Sequence, residues 1–282
     1  MTTMEMGGAL QLPTRRLDAS RQWHTRILAE LWRYRELLYF FVWRDVKVRY
    51  KQTVLGAGWA IIQPVMSMIV FTIFFGRLAH VPSDGLPYPV FSMIGLVPWT
   101  YFATALSSSS LSVGGYTHVI SKVYFPRLII PLSSVIAPLV DFAIAFVILT
   151  GLLLWYRVVP GPAIVWLPAF MLLAVATAAA AGVWLSALNV RYRDVRYVVP
   201  FLTQLWMFAT PVVYPASLVP GRWRFVYGLN PMAGVVEGFR WVLAGGPPPG
   251  GLIGVSALVV IASLGAGLMY FRRLEGTFAD VI

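Results

Sequence analysis

A short stretch, residues 188–197, concentrates four charged side chains that could bind another protein. It reads Leu-Asn-Val-Arg-Tyr-Arg-Asp-Val-Arg-Tyr. Residues 158–190 and 198–221, on either side of its charges, contain no Asp, Glu, Lys or Arg. Because an arginine is costly at the centre of a bilayer, a basic connector between two membrane-length apolar runs must lie in water on one side of the membrane. Its spacing predicts one or two helical turns capped by Asn189. We expect another protein to dock on it.

Residues typical of catalysis do not converge in this sequence. His24, His80 and His118 lie outside the long apolar runs, Cys is absent, and neither a His-Glu-x-x-His pattern nor a Gly-x-x-x-x-Gly-Lys-Ser/Thr loop occurs. An intramembrane enzyme would need polar groups that meet within the bilayer. We therefore expect no catalytic residue, no metal site and no cofactor bound by this chain, and no ATP hydrolysis by a phosphate-binding loop.

Composition indicates a membrane protein. The chain is 59% hydrophobic and 12% charged, whereas soluble domains are about one quarter charged. A net charge of +11 could indicate nucleic-acid binding, but ten of the 22 basic residues precede Val54 and most of the others lie at the ends of apolar runs. This is the distribution expected beside a membrane, so we predict contact with membrane lipids and none with nucleic acid.

The apolar runs predict an all-α integral membrane protein with six transmembrane helices. Within the fourth run, residues 174–182 are almost all small, which predicts close helix packing. Asp141, inside the third run, is expected to accept hydrogen bonds from a neighbouring helix, although an intramembrane acid could also serve an ion-coupled carrier. The six predicted spans are about 58–75, 90–113, 128–156, 163–188, 198–214 and 252–271.

A shorter helix is predicted before the last span. Asn230 suits the N-cap, Pro231 the first helical position, and Gly245 the position after the end, which gives a helix of about 14 residues. This length favours a re-entrant segment over a full span. Glu237 and Arg240 are three positions apart on it and are expected to pair.

The N-terminal part divides into two segments that precede the single transmembrane domain, 55–282. Residues 1–25 are polar, lack the apolar core of a signal peptide, and are expected to be a flexible cytoplasmic segment. Residues 26–54 are expected to form an amphipathic interfacial helix, either a mere orientation anchor or a gate. Its apolar positions are Leu38, Tyr39, Val42, Val46 and Tyr50, and its basic ones include Arg44, Lys47, Arg49 and Lys51.

Six spans place both termini on the same side of the membrane. Of the 22 basic residues, 17 fall on the side of the termini and five on the opposite side. The positive-inside rule therefore predicts cytoplasmic termini.

Four stretches together resemble a known family. They are 44–59, which begins Arg-Asp and ends Gly-Trp; 122–127, Lys-Val-Tyr-Phe-Pro-Arg; 190–194, Val-Arg-Tyr-Arg-Asp; and 210–214, Thr-Pro-Val-Val-Tyr, followed by Asn-Pro-Met at 230–232. In order and spacing they are similar to the membrane subunits of type 2 ABC exporters, in the branch that exports polysaccharides, lipid-linked O-antigens, capsules and teichoic acids.

The resemblance implies a bacterial inner-membrane half-transporter that forms a homodimer and binds two copies of a separate ATPase subunit, which uses ATP and Mg²⁺. The implied substrate is a lipid-linked polysaccharide such as O-antigen, capsule, galactan or teichoic acid. An ABC exporter of another lipid or small amphiphile, or an ion-coupled secondary carrier, is the alternative.

The resemblance also implies site residues in four groups. The helix 26–54 would be a gate at the cytoplasmic entrance, with Arg44, Lys47, Arg49 and Lys51. The re-entrant helix, with Asn230, Pro231, Glu237 and Arg240, would form the external end of the path. Coupling to the ATPase would fall to Lys122, Phe125, Pro126, Arg127, Asn189, Arg191, Tyr192, Arg193, Asp194 and Arg196. The translocation path would be lined by Trp59, Phe71, Phe74, Phe201, Gln204 and Phe208.

Overall fold

A computed structural model describes residues 27–51, 58–116, 125–192 and 194–276 of the chain, and all regular structure in these ranges is helical. The predicted N-terminal segment 1–25 and two predicted coupling residues, Lys122 and Arg193, lie outside the described residues.

Most of the long helices coincide with the apolar runs of the chain. Several are joined by short 3₁₀ turns, Pro162–Trp166, Ala216–Leu218 and Gly221–Trp223, and the third continues into a π-helix, Thr72–Leu78. We number the α-helices α1 (Ile27–Arg33), α2 (Arg35–Lys51), α3 (Gly58–Phe71), α4 (Tyr88–Gly115), α5 (Ile129–Ile136), α6 (Leu139–Trp155), α7 (Leu167–Arg191), α8 (Val195–Ala209), α9 (Arg224–Gly228), α10 (Pro231–Ala244) and α11 (Gly251–Glu275).

Five helical segments of the described chain are long and apolar enough to cross a membrane, so the chain is a multi-pass membrane protein. They have 21 to 30 residues and correspond to predicted spans one to four and six. The segments are Gly58–Leu78, Tyr88–Gly115, Ile129–Trp155, Pro162–Arg191 and Gly251–Glu275.

Helix α8, in place of the predicted fifth span, is shorter than expected. Its 15 residues extend about 22 Å at 1.5 Å per residue, against roughly 30 Å of hydrocarbon. The predicted helical end near Tyr214 was wrong, because Thr210 precedes Pro211 and takes an extended conformation with φ −104° and ψ 142°.

The third predicted span is divided. It consists of α5 and α6, which meet at Ala137 and Pro138. Proline has no N–H to donate to the preceding turn, but Ala137 and Pro138 keep helical backbone angles. The combined segment Ile129–Trp155 has membrane-spanning length, as predicted for the third span.

Helix α4 is the centre of the bundle. It packs against α3, α5, α6, α7, α8 and α10, and most of its length is buried. The close packing predicted for the small residues of α7 is confirmed at Gly182, where an added Cβ would lie 2.6 Å from Ser109 Oγ of α4. Helix α11 covers the other side of α7.

The bundle has two distinct ends. At one, which we call the basic end, Phe41, Tyr116, Phe125, Ala187 and Phe271 share a buried cluster, so α2, the connector between α4 and α5, and the C-terminal parts of α7 and α11 lie together. The start of α4, the loop after α8, and α10 form the opposite end, where the Tyr88 hydroxyl donates to the Val213 carbonyl at 2.7 Å.

Candidate functional site: the basic end, the lateral helices and the capped short helix

Helix α2 is fastened to the basic end by a mixed aromatic and charged contact. The ring of Phe41 packs edge-on against Tyr116 and Phe125, at centroid distances of 5.1 and 5.7 Å. The Arg44 guanidinium lies 4.0 Å from the centre of the Tyr116 ring and pairs with Asp45 at 3.2 Å. Burial, followed by the hydrogen bond to Asp45, raises the pKa of the Tyr116 hydroxyl, which therefore stays a donor.

The face of α2 that contacts the rest of the chain centres on Phe41. Tyr39, one of the apolar positions predicted for an interfacial helix, is 71% exposed. Of the predicted basic positions, Lys47 and Lys51 are exposed, and Arg44 and Arg49 are partly covered. Two of the four cations therefore hold the helix in place, and the other two face outward.

The end of α2 is held by Asp141 of α6. Both Arg49 and Tyr50 donate to its carboxylate, and Arg49 also reaches Ser108 Oγ at 3.5 Å. The prediction that Asp141 accepts hydrogen bonds from a neighbouring helix is thus confirmed. Burial, and then the hydrogen bond to Asp141, raises the pKa of Tyr50 above its ordinary value. An acid committed to two donors is poorly suited to carry an ion.

The first predicted coupling connector returns to the bundle at 125–128. Phe125 is buried, and Arg127 donates its backbone N–H to Glu275 Oε1 at 3.0 Å and its guanidinium to the Glu275 carbonyl. Three residues before Glu275, Arg272 pairs with Glu30 of α1 at 2.6 Å. The connector, the end of α11 and α1 are therefore linked.

The second predicted coupling stretch is a break between α7 and α8. Asn189 lies inside α7, so the predicted cap at Asn189 was wrong: the helix-forming run before it continues to Arg191 without a breaker. Tyr192 is extended, and α8 begins at Val195, after Asp194. The side chains of Arg191, Tyr192, Asp194 and Arg196 are exposed, which leaves them available to a partner.

The predicted path residues lie on α8 and on α3 with its π-helical continuation, which contains Phe74. Trp59, Phe74, Phe201 and Phe208 are each about half exposed or more, with values of 48 to 62%. Gln204 is also exposed, while Phe71 is partly covered and packs edge-on against Phe75. Within this chain α3 and α8 both pack on α4, so the candidates lie on outward faces and do not line one closed channel.

Helix α10 has the predicted caps. Asn230 Oδ1 accepts from the Met232 N–H at 3.1 Å, Pro231 is the first helical residue, and Gly245 takes a left-handed conformation with φ 72°. Asn230 also joins α8: its Oδ1 accepts from Trp206 Nε1 at 2.9 Å and its Nδ2 donates to the Ala209 carbonyl at 3.1 Å. The cap thus fixes both the start of α10 and the end of α8.

The predicted Glu237–Arg240 pair is present, at 2.8 Å. Arg240 is buried; it donates to the Val212 carbonyl at 2.9 Å and lies 3.8 Å from the centre of the Phe91 ring. This arginine therefore holds the loop after α8 against α4 and α10.

Sequence reasoning missed several residues of these sites. Asp45, Tyr116, Glu30 and Glu275 were not singled out, because their partners are distant in sequence and no spacing relates them. Gln63 was treated only as part of a kink, yet it lines a cavity of about 240 Å³ beside Asp141. Only Asp45 could have been found from the sequence, because it directly follows Arg44, with which it pairs.

The described chain is a helical membrane protein with exposed basic residues between α7 and α8 and exposed aromatic side chains on two helical segments that flank α4. The model of the ABC-2 type transporter family matches residues 36–244. The chain belongs to this family, whose members are membrane subunits of ABC transporters that work with a nucleotide-binding partner.

Curated relatives cover nearly the whole chain. It is 29% identical over 262 residues to an O-antigen export system permease protein, RfbA, of Myxococcus xanthus, covering 91% of this chain and 99% of the relative. It is 27% identical over 248 residues to the RfbA protein of Klebsiella pneumoniae, covering 88% and 95%. The polysialic acid transport protein KpsM of Escherichia coli is 24% identical over 238 residues, covering 82% and 91%.

Proposed function

We propose that this chain is the membrane-spanning permease subunit of an ATP-driven exporter of polysaccharide, in a bacterial inner membrane. The single observation that carries the proposal is similarity over nearly the full length to permeases named for O-antigen export and polysialic acid transport. The outward aromatic and uncharged polar side chains of α3 and α8 support it, since sugars present hydroxyls and apolar ring faces to such groups.

The working unit in this proposal is a homodimer with two ATPase copies. Helices α3 and α8 bury little of their surface within one chain, so a second copy facing them would enclose a conduit lined by Trp59, Phe201, Gln204 and Phe208. ATP and Mg²⁺ belong to the partner subunit in this scheme.

The membrane arrangement in this proposal has six crossings. The loop 210–214 would complete the crossing that α8 begins, and α10 would be the re-entrant helix at the external side. Both termini would be cytoplasmic, because the basic end gathers α1, α2, the first connector and the end of α11, and most of the basic residues belong to these parts.

Mechanistically, the connectors would act as levers. The exposed break at 191–196 would seat in the ATPase. The first connector would pass its movement to α2 through Phe125 and Phe41, and to α11 through Arg127 and Glu275. Because α2 is also tied to α6 by Asp141, movement of α2 would change the cytoplasmic opening.

The test combines cells and purified complex. Deleting the gene should remove a surface polysaccharide, and the wild-type chain should restore it. Arg196→Ala and Asp194→Ala should reduce co-purification of the partner ATPase, or uncouple the activity of that ATPase from export. Arg222→Ala is the matched control, since it removes an exposed arginine from the opposite end. A chain that transports without ATP would overturn the proposal and favour a secondary carrier.

A further inference from the structure

A cavity of about 630 Å³ lies at the opposite end of the bundle, within one chain. Its walls are the turn at 84–86, α9, the C-terminal half of α10 and the loop 245–250. This volume is in the range of sites that enclose small molecules, roughly 300–1,000 Å³. None of the predicted path residues of α3 and α8 lines it.

The charged groups of the cavity are balanced. Asp84 and Glu237 contribute two acids, and Arg224 and Arg240 contribute two cations. A phosphate or a polyanion would be favoured by an excess of positive charge, which this lining lacks. Hydroxyl groups, which both donate and accept, suit a wall that offers carboxylates beside guanidinium groups.

The aromatic lining complements an apolar ring face. Phe225 is 68% exposed and Trp241 is partly covered, with its ring edge-on to Phe170 at 6.1 Å. Flat aromatic surfaces next to fixed hydrogen-bonding groups are the combination that binds a ring with one apolar and one polar aspect.

Several polar groups of the cavity are held in place. Asp84 has a left-handed backbone, φ 50°, and its Oδ1 accepts from Ser217 Oγ at 2.9 Å. Arg240 is fixed by Glu237 and by the Val212 carbonyl.

We propose that this cavity binds a saccharide unit of the exported chain on the external side of the membrane, one site in each protomer. The inference rests on the proposed function and deepens it. Weak binding there would keep an emerging glycan from sliding back between cycles of the ATPase.

The experiment measures binding to the wild-type transporter with its ATPase, reconstituted in lipid nanodiscs. The probe is a set of short oligosaccharide fragments, prepared by mild hydrolysis of the surface polysaccharide that disappears when the gene is deleted. Saturation-transfer NMR and equilibrium dialysis should detect binding. Phe225→Ala should weaken it about three- to tenfold, the size of one aromatic contact, with little effect on folding because the side chain is exposed.

Two further variants make the test specific. Asp84→Asn keeps the left-handed turn and an acceptor for Ser217 while removing the charge, and should also weaken binding. Trp166→Ala removes an exposed aromatic side chain that does not line the cavity and should bind fragments like wild type.

The outcomes separate the cavity from the transport function. If the wild-type chain restores surface polysaccharide but the fragments do not bind, or bind Phe225→Ala and Asp84→Asn equally well, the cavity inference is wrong and the proposed function stands. If these variants change only the phospholipid retained by the complex, the cavity is a lipid site and the inference is also wrong. If deletion removes no surface polysaccharide, both proposals fail.

Discussion

The hydroxyl of Tyr116, one residue after α4, donates a 2.8 Å hydrogen bond to Asp45 Oδ1 of α2, across 71 positions of sequence. The Arg44 guanidinium covers the same ring. Tyr116 therefore fastens α2 to the point where the first connector, between α4 and α5, leaves the bundle. A movement of that connector would act directly on α2.

Tyr116→Phe should loosen α2 while preserving the ring contacts with Phe41 and Arg44. The loss of one partly buried hydrogen bond to a carboxylate should cost about 1–2 kcal/mol. Hydrogen exchange of the amides in α2 should accelerate correspondingly. Tyr39→Phe, which removes a hydroxyl from a side chain that is 71% exposed, should leave the exchange unchanged; equal rates in the two variants would contradict the fastening role.

Arg49 and Asp141 should behave as a coupled pair. Both side chains are mostly covered, with 30% and 25% exposure, so Arg49→Gln and Asp141→Asn should each lower the thermal stability of the nanodisc-embedded protein. The double variant should lose about 1 kcal/mol less than the sum of the two. As a control, Arg222→Gln combined with Asp141→Asn should be additive, and additivity for Arg49 as well would show that the pair does not form in the membrane.

Local signals predicted the short-range features of this chain, and the long-range ones escaped them. Asn230, Pro231 and Gly245 defined α10 because caps depend on neighbouring residues. The ties of α2 to Tyr116 and Asp141 join residues that no periodicity relates.

The end of α8 was misjudged because the prediction gave hydrophobicity more weight than proline. The apolar run continues toward Tyr214, but the helix ends at Ala209 and Thr210, the residue before Pro211, is extended. The proposed walls of the conduit face outward from α3 and α8, so no periodicity within one chain distinguishes them from lipid-facing surfaces.

Gly182→Ala should separate α4 from α7. The new Cβ would lie 2.8 Å from Ser109 Cβ, an atom that cannot move without its backbone, so we expect a loss of about 1–3 kcal/mol from overpacking. Unfolding in a denaturant or detergent series would measure it. Gly151→Ala, at a helical site where an added Cβ meets nothing within 4 Å, should be neutral or stabilising by up to about 1 kcal/mol.

Asn230→Ala should lower the free energy of unfolding by more than the loss of a simple helix cap does, because Asn230 joins α10 to α8 at the end of the bundle opposite the basic end. The amide caps α10, accepts from Trp206 Nε1, and donates to the Thr210 hydroxyl at 2.9 Å. Its removal leaves several groups unpaired, so we expect a cost of about 2–3 kcal/mol, above the typical 1 kcal/mol of a cap.

The measurement for Asn230→Ala is thermal unfolding, together with the emission of Trp206 in a variant that retains this tryptophan alone. Asn189→Ala is the matched control, since Asn189 lies within the last turn of α7 and alanine favours a helix. An Asn230→Ala protein as stable as the Asn189→Ala protein would mean that α8 and α10 are held together by apolar packing, without the amide.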